Sequence, residues 1–425
     1  MRRPTGYFEA GLEWFASSHD GPEHIQPALA GRDAAGLDAA GRALGAAFGH
    51  HLVWLGRKAA ALGAERLFFL SREGAWLARH YGRLRRIVPG GDAWPEPVAL
   101  AVSRRSTFLP SLPEISDTAL APLLAQYRNT TVGTVLESLG LPGEEAREDL
   151  PLEERWSAPG MAARVLGDVT VAAALARRHA AQREALLSYL RGQGVPRTGL
   201  VAVADIGWKG SIQDNLARLL PDACLTGLYL ALHPAMSPPP PNAAKCGFIL
   251  DAGAPRGLMR RLRFIAPLEF VASDDTPSTL GYTMQDGRPV PVPDPIAVVP
   301  HKTSSFQVLQ AAIAAGIDAC AELHAPSAVV ARQQVLKVIE APHQALVGLF
   351  FEAWRDDRFG EGALRRGADR LSARAVLRGM MLPGARRALG LRLAQSGWPW
   401  GLLARDLPLA APLLRWLILR LDARL

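Results

Sequence analysis

Apolar residues occur along this chain in two ways: in short continuous runs that end on polar turns, and in longer segments where they recur every three or four positions. The first predicts strands buried on both faces, and the second predicts helices packed on them. Leu37, Ala40, Leu44, Ala47 and Phe48 fall near one helical face and continue to Leu52 and Trp54, after an irregular lead, within residues 1–60. Arg66-Leu67-Phe68-Phe69-Leu70 predicts a strand, Ser71-Arg72-Glu73-Gly74 its turn, and residues 75–81 a helix. Val98-Ala99-Leu100-Ala101-Val102 predicts a second strand, ending at Ser103-Arg104-Arg105-Ser106. Leu200-Val201-Ala202-Val203-Ala204 predicts a third, which runs into Asp205, Ile206, Gly207, Trp208, Lys209, Gly210 and Ser211; beyond that turn Ile212, Leu216 and Leu219 recur at helical spacing. Residues 226–232 read as another strand and 245–250 as an edge strand. The fold class expected is α/β with a mostly parallel sheet.

Residues 113–198 turn helical, with capping residues at Ser116-Asp117, an acidic run at Glu144, Glu145 and Glu148, and a long closing helix around 169–190. Such an insertion either covers a site or forms a helical subdomain against one sheet face; the second asks less of the chain. Prolines at 238–241 suggest a stiff linker, and the proline-rich stretch 289–300 a second boundary. From about residue 302 the pattern is helical. The expected division is a lead over 1–60, an α/β domain over 61–235 with insertion 113–198, a segment 236–300 with acceptor-side elements, and a basic helical domain over 301–425.

Charge changes this picture in one region. The 425 residues carry a net charge of +8, which points to anionic partners. Arg365, Arg366, Arg370, Arg374, Arg378, Arg386, Arg387 and Arg392 concentrate near the end, followed by Trp398, Trp400 and Trp416 among further arginines and leucines. This is the composition of helices lying on an anionic membrane, or else of solvated basic helices packed on their own domain. No aromatic-basic platform for nucleic acid is visible. The three cysteines fit neither a disulfide framework nor a metal spacing, no secretory signal is visible, and the cytoplasm is the expected location. His50 and His51 are adjacent, so they point to different faces and suggest packing rather than a metal.

Signatures for P-loop, dinucleotide, hydrolase-elbow and zinc chemistry are absent from the sequence. The three polar turns together suggest a phosphate-and-sugar site, since ligands of open parallel sheets sit beyond the carboxyl ends of the strands. Asp205 can accept hydrogen bonds from vicinal hydroxyls. Gly207, Trp208, Lys209, Gly210 and Ser211 offer backbone N–H groups, an ammonium and a hydroxyl to a phosphate, with Gln213 just beyond. Ser71, Arg72, Glu73, Gly74, Ser103, Arg104 and Arg105 form the other walls, the arginines suiting a second anionic group. The plainer alternative makes Asp205 a helix cap and leaves the arginines to solvent. No metal site is expected from side chains alone.

This order of strands and turns resembles a type I phosphoribosyltransferase. Asp205 takes the position of the second acid and Gly210 that of the loop glycine, while Ala204, Lys209 and Ile212 depart from the family's pattern. Over residues 20–300, the stretches 69–74, 102–106, 203–213 and 269–282 resemble proteins of bacterial surface-polysaccharide loci in which such a segment accompanies a haloacid-dehalogenase-type phosphatase domain. The resemblance implies transfer of ribofuranose 5-phosphate from phosphoribosyl pyrophosphate to a membrane-associated glycan or lipid-linked glycan. It also implies magnesium carried on the donor's pyrophosphate, and a separate phosphatase. Asp205, Arg72 and Arg104 would then serve the donor, and Glu269 the acceptor as base or hydroxyl orienter. Alternatives are a nucleotide-sugar glycosyltransferase and a non-catalytic sugar-phosphate-binding partner.

Overall fold

The computed structural model describes residues 31–124, 130–141, 150–235, 238–273, 276–294, 303–352, 354–356, 364–366 and 370–422. The lead 1–30, the acidic run at Glu144 and the pair Asp274-Asp275 lie outside them. Five parallel strands form the sheet: β1 (Arg66–Leu70), β2 (Glu96–Leu100), β3 (Gly199–Asp205), β4 (Ala223–Ala231) and β5 (Ala243–Leu250), in the order β2-β1-β3-β4-β5. Side chains alternate across it. Phe69, Ala202, Ala204 and Leu228 face one core, and Phe68, Leu70, Val201 and Val203 the other. The protein is thus α/β, with helices on both faces of a parallel sheet.

On the first face lie α1 (Gly31–Ala61) and α2 (Ser71–Ile87), with α11 (Ser304–Asp318), α12 (Ala328–Glu340) and α13 (Gln344–Glu352) stacked behind α1. Gly41, Gly45 and Gly49 let α1 approach α11 closely: a methyl at Gly45 would stand 2.2 Å from the Ile313 carbonyl oxygen. His51 is fully buried in this layer against Trp54 and Phe248, and burial lowers its pKa to about 3, so it packs as a neutral ring.

The second face is covered by α8 (Ser211–Leu219) and the last turns of α7 (Val169–Gly192). The rest of the insertion, α4 (Asp117–Leu124), α5 (Val132–Ser138), α6 (Met161–Gly167) and the start of α7, forms a separate core with α3 (Arg104–Ser111), the helix that precedes it. Hence the insertion both covers a sheet face and builds a subdomain.

Several boundaries differ from expectation. β2 ends at Leu100, not Val102. The Ala101 N–H donates to the Tyr189 hydroxyl at 2.8 Å, and its carbonyl accepts from the Tyr282 hydroxyl at 2.7 Å, so two phenols replace strand partners. β5 extends the sheet past the prolines at 238–241. After the short helices α9 (Arg256–Arg261) and α10 (Ala266–Val271), β6 (Thr279–Gln285) pairs antiparallel with β7 (Arg288–Pro293) around Asp286-Gly287. Prolines 289, 291 and 293, in the stretch expected to mark a second boundary, therefore sit in an edge strand, where their missing N–H groups cost no ladder bonds.

The C-terminal part is also not helical throughout. A short hairpin, β8 (Trp354–Asp356) with β9 (Leu364–Arg366), precedes α14 (Ala373–Met381), α15 (Pro383–Gln395), α16 (Pro399–Asp406) and α17 (Ala411–Asp422). Trp398 and Trp400 are buried, Trp398 against Phe350 and Phe351 with its indole donating to the Ile339 carbonyl at 2.8 Å. They belong to the core that includes the sheet, not to an interfacial belt. Among the described residues no helix is long and apolar enough to cross a membrane.

Candidate functional site

Strand register and helix placement create a crevice at one end of the sheet. Phe69 pairs with Ala204, so β1 and β3 end side by side, with Leu70 next to Asp205. The following helices then part: α2 packs on the α1 face and α8 on the opposite face. Such a reversal leaves an open cleft between two helix starts, the topological switch point of a doubly wound sheet. The expected turn at Ser71, Arg72, Glu73 and Gly74 is the first turn of α2, which begins directly after Leu70. The helix α3 begins likewise just beyond β2. Three helix N-termini, with the positive ends of their dipoles, therefore converge on the ends of β1, β2 and β3.

Between Asp205 and α8 the chain makes a tight path. Its extension beside β4 is held by the Ala231 N–H donating to the Ile206 carbonyl and the His233 N–H donating to the Trp208 carbonyl. Gly207 has φ +149°, and a methyl there would stand 2.2 Å from the Ala231 carbonyl oxygen, so the strand neighbour itself demands glycine. Gly210 (φ +68°) is the N-cap of α8 and supplies no side chain to its first N–H groups. Ser211 follows as the first helical residue, and Lys209 is exposed.

Below this loop lies a polar support that the sequence did not suggest. Lys245 of β5 donates to the Lys209 carbonyl at 3.0 Å and pairs with Asp214 at 2.7 Å. Tyr229 donates to Gln213 Oε1, whose amide donates to the Leu225 and Ala244 carbonyls. Gln213 is fully buried and its bonding capacity is spent on β4 and β5, so it supports the loop and does not face the crevice. The one readable hint of this support was a lysine opening an otherwise apolar strand.

At the crevice mouth, charges crowd. Burial pushes the Asp205 carboxyl well above its ordinary range; the Glu73 carboxylate adds to this, the Ile206 N–H at 2.7 Å opposes it, Glu269 adds again and Arg104 opposes. Burial also raises Glu269, with Glu73 adding, while the Trp208 indole N–H at 2.7 Å, Arg72 and Arg104 draw it down. Arg72 and Glu73 form a loose pair at 3.5 Å. The structure thus brings together Asp205, Glu73, Glu269, Arg72, Arg104 and Trp208 beside the glycine loop. A shallow pocket next to Arg72 is lined by Ala75, Leu100, Val102, Thr276 and Thr279.

Two further expected residues turn elsewhere. Ser103 is buried as the N-cap of α3 in a reciprocal pair with Ser106, and its hydroxyl donates to the Thr279 carbonyl at 2.6 Å. Arg105 reaches into the insertion, donating to the Glu137 carbonyl at 2.9 Å, and burial lowers its pKa. Ser103 therefore orders the start of α3, and Arg105 ties α3 to α5. Fold and crevice together define a doubly wound α/β protein with an acidic strand end beside an anion-sized loop. No protein-family model matches the chain, and no curated protein matches it.

Proposed function

We propose that this protein is a phosphoribosyltransferase-like glycosyltransferase that moves ribofuranose 5-phosphate from phosphoribosyl pyrophosphate to a membrane-associated glycan. The observation that carries this is Asp205, a carboxyl at the β1/β3 switch point, beside a glycine-shaped loop leading into the start of α8. Asp205 accepts the ribose hydroxyls, and the N–H groups of the 207–211 loop and of α8 hold the 5-phosphate. Arg72 and Arg104 neutralise the charge that develops on the leaving pyrophosphate. Glu269 takes the proton of the attacking hydroxyl, a role suited by its raised pKa. Ala204 is fully buried between Phe69 and Leu228, so the first acid of the family's motif has no place there. Glu73 and Glu269 supply carboxylates from neighbouring helices instead.

Magnesium in this assignment rides on the donor's pyrophosphate, and its positive charge would relieve the repulsion among Asp205, Glu73 and Glu269. The parallel order β2-β1-β3-β4-β5 supports a phosphoribosyltransferase-type sheet. A separate haloacid-dehalogenase-type phosphatase, which would remove the 5-phosphate after transfer, and a location on the inner face of the cytoplasmic membrane belong to the same proposal.

The buried Ala204 also favours a second assignment, a sugar-phosphate binder without turnover. Thermal shifts with magnesium distinguish the possibilities. Phosphoribosyl pyrophosphate should stabilise the protein by about 2.7 kcal/mol at a hundredfold excess over Kd. Stabilisation by a uridine diphosphate sugar alone would point to a nucleotide-sugar enzyme. Equal stabilisation by ribose 5-phosphate, with no pyrophosphate released in the presence of membranes, would favour the binder.

A further inference from the structure

We propose that helix α14 docks the protein on an anionic lipid bilayer. Arg374, Leu377, Arg378 and Met381 fall at i, i+3, i+4 and i+7, a single stripe of the helix. All four are exposed, Leu377 at 57% and Met381 at 77%. The opposite side turns inward: Val376 is buried, and a methyl on Gly379 would stand 2.5 Å from Leu389 of α15. Leu382 extends the apolar end of the stripe, and on α15 Arg387 and Leu391, one turn apart, are exposed as well.

Charge identifies the occupant. From residue 370 to 416 the chain carries eight arginines and one acid, Asp406. That acid is committed to Arg405 and to the Leu371 N–H at 2.6 Å. A surface that alternates arginine with leucine and methionine, with no exposed acid in the same segment, complements lipid phosphates above and hydrocarbon below. The arginine stems lie along the apolar stripe while their guanidinium groups stay at headgroup level. The docking element is thus α14, and not the buried Trp398 and Trp400. Docking needs no phosphoribosyl pyrophosphate, so its failure and the failure of the proposed reaction are separately visible.

The test is flotation of the full chain with vesicles of phosphatidylcholine alone and with phosphatidylglycerol added. Wild type should float with the anionic vesicles only, less so at high salt. Arg374→Glu/Arg378→Glu should weaken partitioning roughly 25-fold or more, about fivefold per arginine. Leu377→Asp/Met381→Asp should abolish it with an unchanged melting temperature, which shows that the fold is intact. Absence of wild-type binding to anionic vesicles would overturn the proposal. So would binding that survives the leucine and methionine replacements, which would reduce it to charge alone. A concentration-dependent dimer in sedimentation velocity, lost in Leu377→Asp/Met381→Asp, would assign the face to a second copy and overturn it too.

Discussion

Lys245→Met should destabilise the protein by an amount that grows with pH. The Lys245 ammonium stands 2.7 Å from Asp214, with the two side chains only 9% and 12% exposed, and it also donates to the Lys209 carbonyl. Asp214 Oδ1 is buried with no hydrogen-bond partner among the described residues. Methionine keeps most of the stem's volume but leaves a buried carboxylate without its cation, a change that costs about 3–5 kcal/mol. In the wild type, burial raises the Asp214 pKa while Lys245 holds it down through its hydrogen bond and its charge. Without the ammonium it climbs further. A carboxyl whose folded pKa exceeds its unfolded one favours folding while protonated, and that contribution is lost as pH rises through the folded value. The variant should therefore nearly match wild type at about pH 4, where the unfolded carboxyl titrates, and show the full deficit at about pH 8. Urea unfolding followed by far-UV circular dichroism at both pH values measures this. Lys245→Met/Asp214→Leu should recover to within about 1 kcal/mol of wild type, since an apolar pair can replace a buried ion pair at little cost. A loss below about 1 kcal/mol at high pH, or an equal loss at both, would refute the role given to the pair.

Three further changes probe the crevice. Gly207→Ala forces an L residue into a left-handed conformation against the Ala231 carbonyl; it should cost more than about 2 kcal/mol in urea unfolding and abolish donor-induced thermal stabilisation. Trp208→Phe removes the indole N–H that lowers the Glu269 pKa, so the acidic limb of the pH–rate profile should move to higher pH, with KM for the donor little changed. Asp205→Asn should raise the melting temperature at about pH 8, because the raised pKa of Asp205 makes its ionisation oppose folding there, and should have little effect near pH 4, where the carboxyl is protonated in both states.

Strands β1, β3 and β4 were legible because each is a short apolar run largely sealed on both faces, and the glycine loop after β3 was legible because few other sequences fit that path. The features that are not legible depend on partners distant in sequence. Ala101 and Val102 have the composition of a strand, yet two tyrosines from α7 and β6 take the backbone groups of Ala101. The turn at Ser71 looked like a loop because its polar residues suit one equally well as a first helical turn. The Asp286-Gly287 hairpin signal was present but masked by the prolines of β7. Trp398 and Trp400 have a membrane-interface composition, and only the packing of α13 on α16 reveals them as core. In the crevice, Asp205 and the loop could be located from strand and turn alone, whereas Gln213, Ser103 and Arg105 could not be excluded without seeing which carbonyls they bond.

The most direct test of the proposed reaction is incorporation of label from phosphoribosyl pyrophosphate, with magnesium, into the lipid-extractable glycan of added membranes. Wild type should transfer label and release pyrophosphate in equal amounts, and Asp205→Asn should lose on the order of 100-fold or more in rate while remaining folded. Equal transfer by Asp205→Asn, or label that enters the glycan only from a nucleotide sugar, would contradict the assignment of Asp205 and of the donor.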